Sequence, residues 1–136
     1  MHLKSLTAAA SAMMLIAASA ALAAPAQPFS MAAFEAAQRA GRSILVDAYA
    51  DWCPVCRLQA MTLDKIERDK NFDNLVILRI DYDHQDEAKR RLGFNHQSTL
   101  IAFHGAQETG RLVGVVDGDA ITALAKSAQS GRPAAK

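Results

Sequence analysis

The sequence of 136 residues predicts one α/β domain, a mixed four-stranded sheet with helices on both faces. Three observations point there. Two short runs, SILVDAYA (43–50) and LVILRIDY (75–82), are almost continuously apolar, as strands covered on both faces are. Segments of helical period stand before, between and after them. Two further runs, STLIAFH (98–104) and TGRLVGVV (109–116), flank a tight turn at Gly105-Ala106 and read as a hairpin.

The elements follow in order. MHLK carries one lysine, and the stretch after it runs charge-free to Ala21-Leu22-Ala23, then Ala24-Pro25. A charged start, an apolar middle and a small-x-small end describe a secretory signal peptide over residues 1–23, leaving a domain over 24–136. Cleavage after Ala26 is a second possibility. A membrane anchor is the competing reading, disfavoured by the Ala, Ser and Thr content. The domain is therefore expected in the periplasm or secreted, where disulfides persist.

APAQPF is a short lead. Ser30 caps a helix, MAAFEAAQRAG, with Met31, Phe34 and Ala37 or Gln38 on one face and Gly41 as its stop. VCRLQAMTLDKIERD is helical, with Leu58, Met61, Leu63 and Ile66 directed to the core and a break expected at Thr62. NFDN is a turn. HQDEAKRRLG is a short polar helix closed by Gly93. DGDAITALAKSAQS is a last helix, capped by Asp117 or Asp119, with Ile121, Leu124 and Ala125 on one face. GRPAAK is a loose tail. The helix between the first two strands makes them parallel, with a right-handed crossover.

Hydrophobic residues make up 51% and charged residues 21%, as in ordinary globular proteins, and the formal charge is +1. Nucleic acid is not a natural partner for such a surface. No internal repeat is present.

The chemistry concentrates in YADWCPVCRLQAM, which holds both cysteines of the chain. Three roles compete for Cys53-Pro54-Val55-Cys56: a redox pair, half a metal site, or a local staple. Cys53 ends a strand segment and precedes a helix, and Pro54 suits the first helical position. Cys53 is thus the N-cap, where free N–H groups and the helix dipole favour a thiolate. Cys56 lies within bonding reach, at roughly 5–6 Å between Cα atoms. Cys53 can attack a disulfide, and Cys56 can then resolve the mixed disulfide. A staple closing so small a loop constrains the unfolded chain little. A structural zinc needs four ligands, and only the scattered His84, His96 and His104 are on offer. His96 and His104 flank the strand at Ser98 and are the two to watch.

Asp47 interrupts the apolar run of the first strand. Burial should raise its pKa. It is a candidate proton acceptor for Cys56, with an exposed edge position or a pairing with Arg79 as the plainer alternatives.

From about Phe29 to Ala128 these residues resemble the thioredoxin superfamily. ILVDAYADWCPVCR is similar to its active-site strand and helix, with Trp52 before the first cysteine, Arg57 after the second, and Asp47 as the buried acid. Arg79 falls where thioredoxins often carry a lysine. GFNHQSTLIAFHGAQETGRLVG resembles the strand and hairpin that follow, closing at Gly114. The helix before the first strand and the DWC wording look most like periplasmic thioredoxin-like domains, such as the C-terminal domain of DsbD-type thiol:disulfide interchange proteins. The resemblance implies a thioredoxin-like three-layer sandwich and a protein thiol–disulfide oxidoreductase. Cys53, Cys56 and Asp47 would be catalytic, and Trp52, Pro54, Gln97, Ser98 and Thr99 would meet substrate. It implies no bound cofactor and no metal. The partners would be proteins with disulfides or thiols and a dithiol donor or acceptor protein, which can be membrane-bound. The chain would act as a monomer; the redox direction does not carry over from the family, and Asp47 with Arg79 leans the pair towards reductase. Two departures stand out. Pro54-Val55 replaces the Gly-Pro of ordinary thioredoxins. Ser98 occupies the place of the family's cis-proline, and a cis bond before a non-proline costs about 2.5–4 kcal/mol, so a trans or rearranged bond is expected. The competing function is a metal-binding or redox-sensing module that uses the two thiols without turnover. A third is a non-catalytic peptide-binding domain, against which the intact cysteine pair argues.

Overall fold

A computed structural model describes residues 25–134; the signal-peptide segment 1–23 lies outside them. The elements are β1 (Gln27–Pro28), α1 (Met31–Arg39), β2 (Ser43–Tyr49), α2 (Pro54–Arg68), a 3₁₀ turn (Lys70–Phe72), β3 (Leu75–Asp81), α3 (Asp86–Leu92), β4 (Thr99–His104), β5 (Gln107–Val113) and α4 (Gly118–Ser130). The sheet runs β1-β3-β2-β4-β5. β2 pairs parallel with β3 and antiparallel with β4, and β4 and β5 form the hairpin.

The sheet has five strands where four were expected. Gln27 and Pro28 pair parallel with Leu78 and Arg79, and the Phe29 N–H donates to the Arg79 carbonyl at 2.8 Å. Two residues are too few to show a strand period, and proline is tolerated because β1 is an edge.

Alternation along the strands builds two cores. Ile44, Val46, Ile80, Ile101 and Phe103 meet Phe34 of α1 and Ala88 of α3. Leu45, Ile77 and Leu100 meet Leu63 and Ile66 of α2 and Ile121 and Leu124 of α4. Asp47 and Arg79 sit in register on neighbouring strands, two residues beyond Leu45 and Ile77, and so belong to the α2 face.

The cap at Ser30 forms, its hydroxyl accepting from Ala33 N. Asp117, rather than Asp119, caps α4. Helix α2 is unbroken at Thr62. Its buried positions are Cys56, Gln59, Leu63 and Ile66, a 3-4-3 spacing. Leu58 and Met61, expected in the core, are 51% and 60% exposed. Burying a glutamine in place of two apolar residues is a tertiary effect that the local pattern does not contain.

At Gly110, β5 packs tightly beneath Leu124 of α4. A Cβ there would stand 2.8 Å from Leu124 Cδ1 and 3.1 Å from Ala134 Cβ. Gly110→Ala is expected to destabilise by about 1–3 kcal/mol through overpacking, read as a lower urea midpoint at unchanged m-value.

Candidate active site

The site forms where β2 ends and α2 begins. Cys53 is the N-cap of α2, with φ −86° and ψ 109°, and Pro54 opens the helix. The extended backbone at Cys53 turns its side chain back over the first turn, and Cys53 Sγ accepts from Cys56 N at 3.1 Å. Cys53 and Cys56 are joined as a disulfide, with Cα atoms 5.3 Å apart. Cys53 is 2% and Cys56 0% exposed, clustered with Ala50 under Tyr49, Val55 and Tyr82. An incoming thiolate therefore has only a narrow opening to the Cys53 sulfur. Cys56 Sγ lies 3.8 Å from the Ala48 carbonyl oxygen, on the strand that carries Asp47.

Asp47 is 1% exposed and on a central strand, which removes the edge-strand alternative. It does pair with Arg79, whose Nε donates to Asp47 Oδ2 at 2.8 Å. The guanidinium lies over the Tyr49 ring, 4.5 Å from its centroid. Burial pushes the Asp47 carboxyl up from its ordinary range, outweighing the Arg79 charge and hydrogen bond, and Glu67 adds to the rise. Asp47 Oδ1 is buried with no hydrogen-bond partner. A groove of about 620 Å³, lined in part by Tyr49, Ala50, Asp51, Arg79 and Asp83, reaches the outer side of Arg79. The ion pair is thus sealed on the helix side and open to solvent through its cation.

Trp52 and Pro54 form an exposed rim, and Trp52 Nε1 donates to Asp83 Oδ2 at 2.8 Å. Gln97 is half-buried, whereas Ser98 and Thr99 are buried. Thr99 Oγ1 donates to the His96 carbonyl at 2.8 Å. The backbone of both is already engaged within the fold, Ser98 bonding to Ala48 and Gly114 and Thr99 pairing with Ala48 and Val113. The described residues contain no cis peptide bond, and Ser98 takes φ 54°, a left-handed value found at no other described non-glycine residue. That conformation costs about 1–2 kcal/mol for an L-residue.

The histidines do not converge on the sulfurs. His104 lies at the far end of β4 from Thr99, roughly 17 Å along the strand, and its Nδ1 meets the Ala128 carbonyl at 2.8 Å. His84 pairs with Asp81 on the surface, which raises its pKa. Among the described residues no group of three or more His, Cys, Asp or Glu side chains could hold a metal ion. What the sequence did not disclose is Gln59. Its Nε2 donates to the carbonyls of Ser98 and Val115, at 3.0 and 2.9 Å. The available signal was its place one helical turn after Cys56.

The thioredoxin family model matches residues 26–127. A thioredoxin from Chlamydia muridarum is 30% identical over 81 residues, covering 60% of this chain and 78% of that protein. The crystal structure of Trxlp from Edwardsiella tarda superposes with a TM-score of 0.69 at 36% identity, over 71% of this chain and 94% of that one. The thioredoxin of Malassezia sympodialis, at 23% identity and a TM-score of 0.64, shares the fold over 75% of this chain and 95% of its own. A capped cysteine pair at a strand–helix junction, on this sheet and with these relatives, has one reading: the chain belongs to the thioredoxin family and is a thiol–disulfide oxidoreductase.

Proposed function

We propose that the chain, once its N-terminal segment is removed, reduces protein disulfides in the periplasm or outside the cell. Cys53 is the nucleophile, Cys56 the resolving thiol and Asp47 the proton acceptor. The observation that carries this is the Cys56 N–H donated to Cys53 Sγ, which would hold a thiolate at Cys53 in the reduced protein. The Cys53 thiolate attacks a substrate disulfide and expels one substrate sulfur as thiolate. Cys56 gives its proton to Asp47, directly or through water, and attacks Cys53 Sγ. The second substrate sulfur leaves, and two electrons have passed from the pair to the substrate. Trp52 and Pro54 form the rim of the contact. The backbone around Gln97, just before the strand-bound Ser98 and Thr99, offers an edge for an extended substrate peptide, as strand addition would use it. A dithiol protein, membrane-bound in this reading, restores the pair.

The test is the equilibrium reduction potential of the Cys53–Cys56 pair, by thiol trapping in defined redox buffers. A value near about −270 mV is expected for a reductase. One near about −120 mV would mean an oxidant and overturn the direction. Fractionation of cells expressing the full chain tests the compartment: a mature form starting near Ala24 outside the cytoplasm is expected, and a full-length cytoplasmic form would refute it.

A further inference from the structure

Gln59 is completely buried at the site, and the thiol chemistry gives it no task. Its Nε2 spans two carbonyls that are 39 and 56 residues away in the chain, those of Ser98 and Val115. Its Oε1 is buried without a partner. An unpaired buried acceptor costs free energy that an apolar side chain would avoid. The position is core-facing, in line with Leu63 and Ile66, where leucine would be the unremarkable choice. The amide must therefore do something that leucine cannot.

What it holds is the strained residue. Strain of the Ser98 kind persists only where the surroundings over-determine it. Ser98 N donates to the Ala48 carbonyl at 2.9 Å, and the Ser98 carbonyl accepts from Gly114 N at 2.9 Å. Those two bonds tie Ser98 to β2 and to the end of the hairpin. Gln59 adds a bond from α2 itself, the helix that carries both cysteines, and its second bond brings in Val115.

We propose that Gln59 is a positioning residue: its amide locks the Ser98 turn and the Val115 segment to the cysteine helix, so that the backbone edge at Gln97, next to Ser98 in the chain, is preformed for a protein substrate. This rests on the thiol-exchange reading for its consequence, not for its geometry. A preformed edge spares the ordering that would otherwise accompany binding. Loss of the amide should therefore weaken capture of a protein disulfide and leave sulfur chemistry on a small disulfide alone.

Gln59→Met keeps the length and removes both donors. Amide hydrogen exchange at Ser98 and Gly114 should rise about tenfold, with the rest of α2 unchanged. KM for insulin should rise by a similar factor, while kcat and the rate on a small aromatic disulfide stay within about twofold. Unchanged exchange at Ser98 and Gly114 overturns the proposal, as does an equal loss on insulin and on the small disulfide, which would indicate a general scaffold role. A wild type that reduces neither substrate sinks the thiol-exchange reading, and the exchange data still decide the positioning. Should the variant not fold, the wild-type side-chain amide decides: Gln59 Nε2 protons protected from exchange are expected, and unprotected ones refute the lock.

Discussion

Cys56→Ser is expected to convert the protein into a covalent trap, with turnover of protein disulfides down by about 10³-fold or more. Resolution is intramolecular, and well-oriented intramolecular reactions reach effective molarities of about 10⁵–10⁸ M. No external thiol at millimolar concentration replaces that. The first step survives, because its determinants lie elsewhere: Cys53 remains the N-cap, and the backbone N–H at position 56, which it accepts at 3.1 Å, does not depend on the side chain there. The reduced variant should therefore accumulate a mixed disulfide with substrate, seen as a shifted band on a non-reducing gel and as an added mass released by dithiothreitol. Cys53→Ser should form no such adduct and lose turnover to the same degree, since a hydroxyl is no substitute for a thiolate at neutral pH. An adduct on Cys53→Ser and none on Cys56→Ser would reverse the assigned roles. Full activity in either variant would remove the pair from the mechanism.

The parts of the site legible in the sequence are those set by neighbours in the chain. A strand run, a cysteine, a proline at the first helical position and a second cysteine three residues on place both sulfurs without any tertiary information. The burial of Asp47 was legible as a charge within an apolar run, and of its two plainer readings the pairing with Arg79 of the parallel partner strand holds. The packing register of α2 was not legible. Leu58 and Met61 are apolar and 51% and 60% exposed, while polar Gln59 is buried, because carbonyls 39 and 56 residues away complete its hydrogen bonds. The fifth strand escaped for the opposite reason. Gln27 and Pro28 carry no pattern of their own, and only the open edge of β3 makes them a strand. His104 seemed close to Ser98 in sequence, but an extended strand of six residues sends its ends far apart. The left-handed Ser98 is likewise a product of what pins it rather than of its identity.

Asp47→Asn separates the chemical and structural effects of the buried acid. Asparagine keeps an oxygen for Arg79 Nε and removes the titration. In the folded protein the Asp47 pKa is raised above its ordinary 3.8, with burial as the largest cause. A raised carboxyl binds its proton more tightly folded than unfolded. Its contribution to stability is thus fully present below the unfolded value and is lost as pH rises through the folded one. Wild-type stability should therefore fall across that window relative to Asp47→Asn, and the gap between their urea-denaturation curves, both oxidised, should widen from pH 4 upward and then level off. Arg79 does not reverse the sign, because its side chain is 32% exposed and reaches solvent when its partner is neutral. Catalysis should move the other way. If Asp47 takes the Cys56 proton, the variant should resolve the mixed disulfide about 10²-fold more slowly. Wild-type resolution should climb with pH through the raised Asp47 value, and the variant should show no step there. Parallel stability curves would show that Asp47 does not titrate with a raised pKa. An unchanged resolution rate with diverging stability curves would leave the carboxylate buried at a cost that disulfide exchange does not explain, and the proton would have to leave Cys56 by another path.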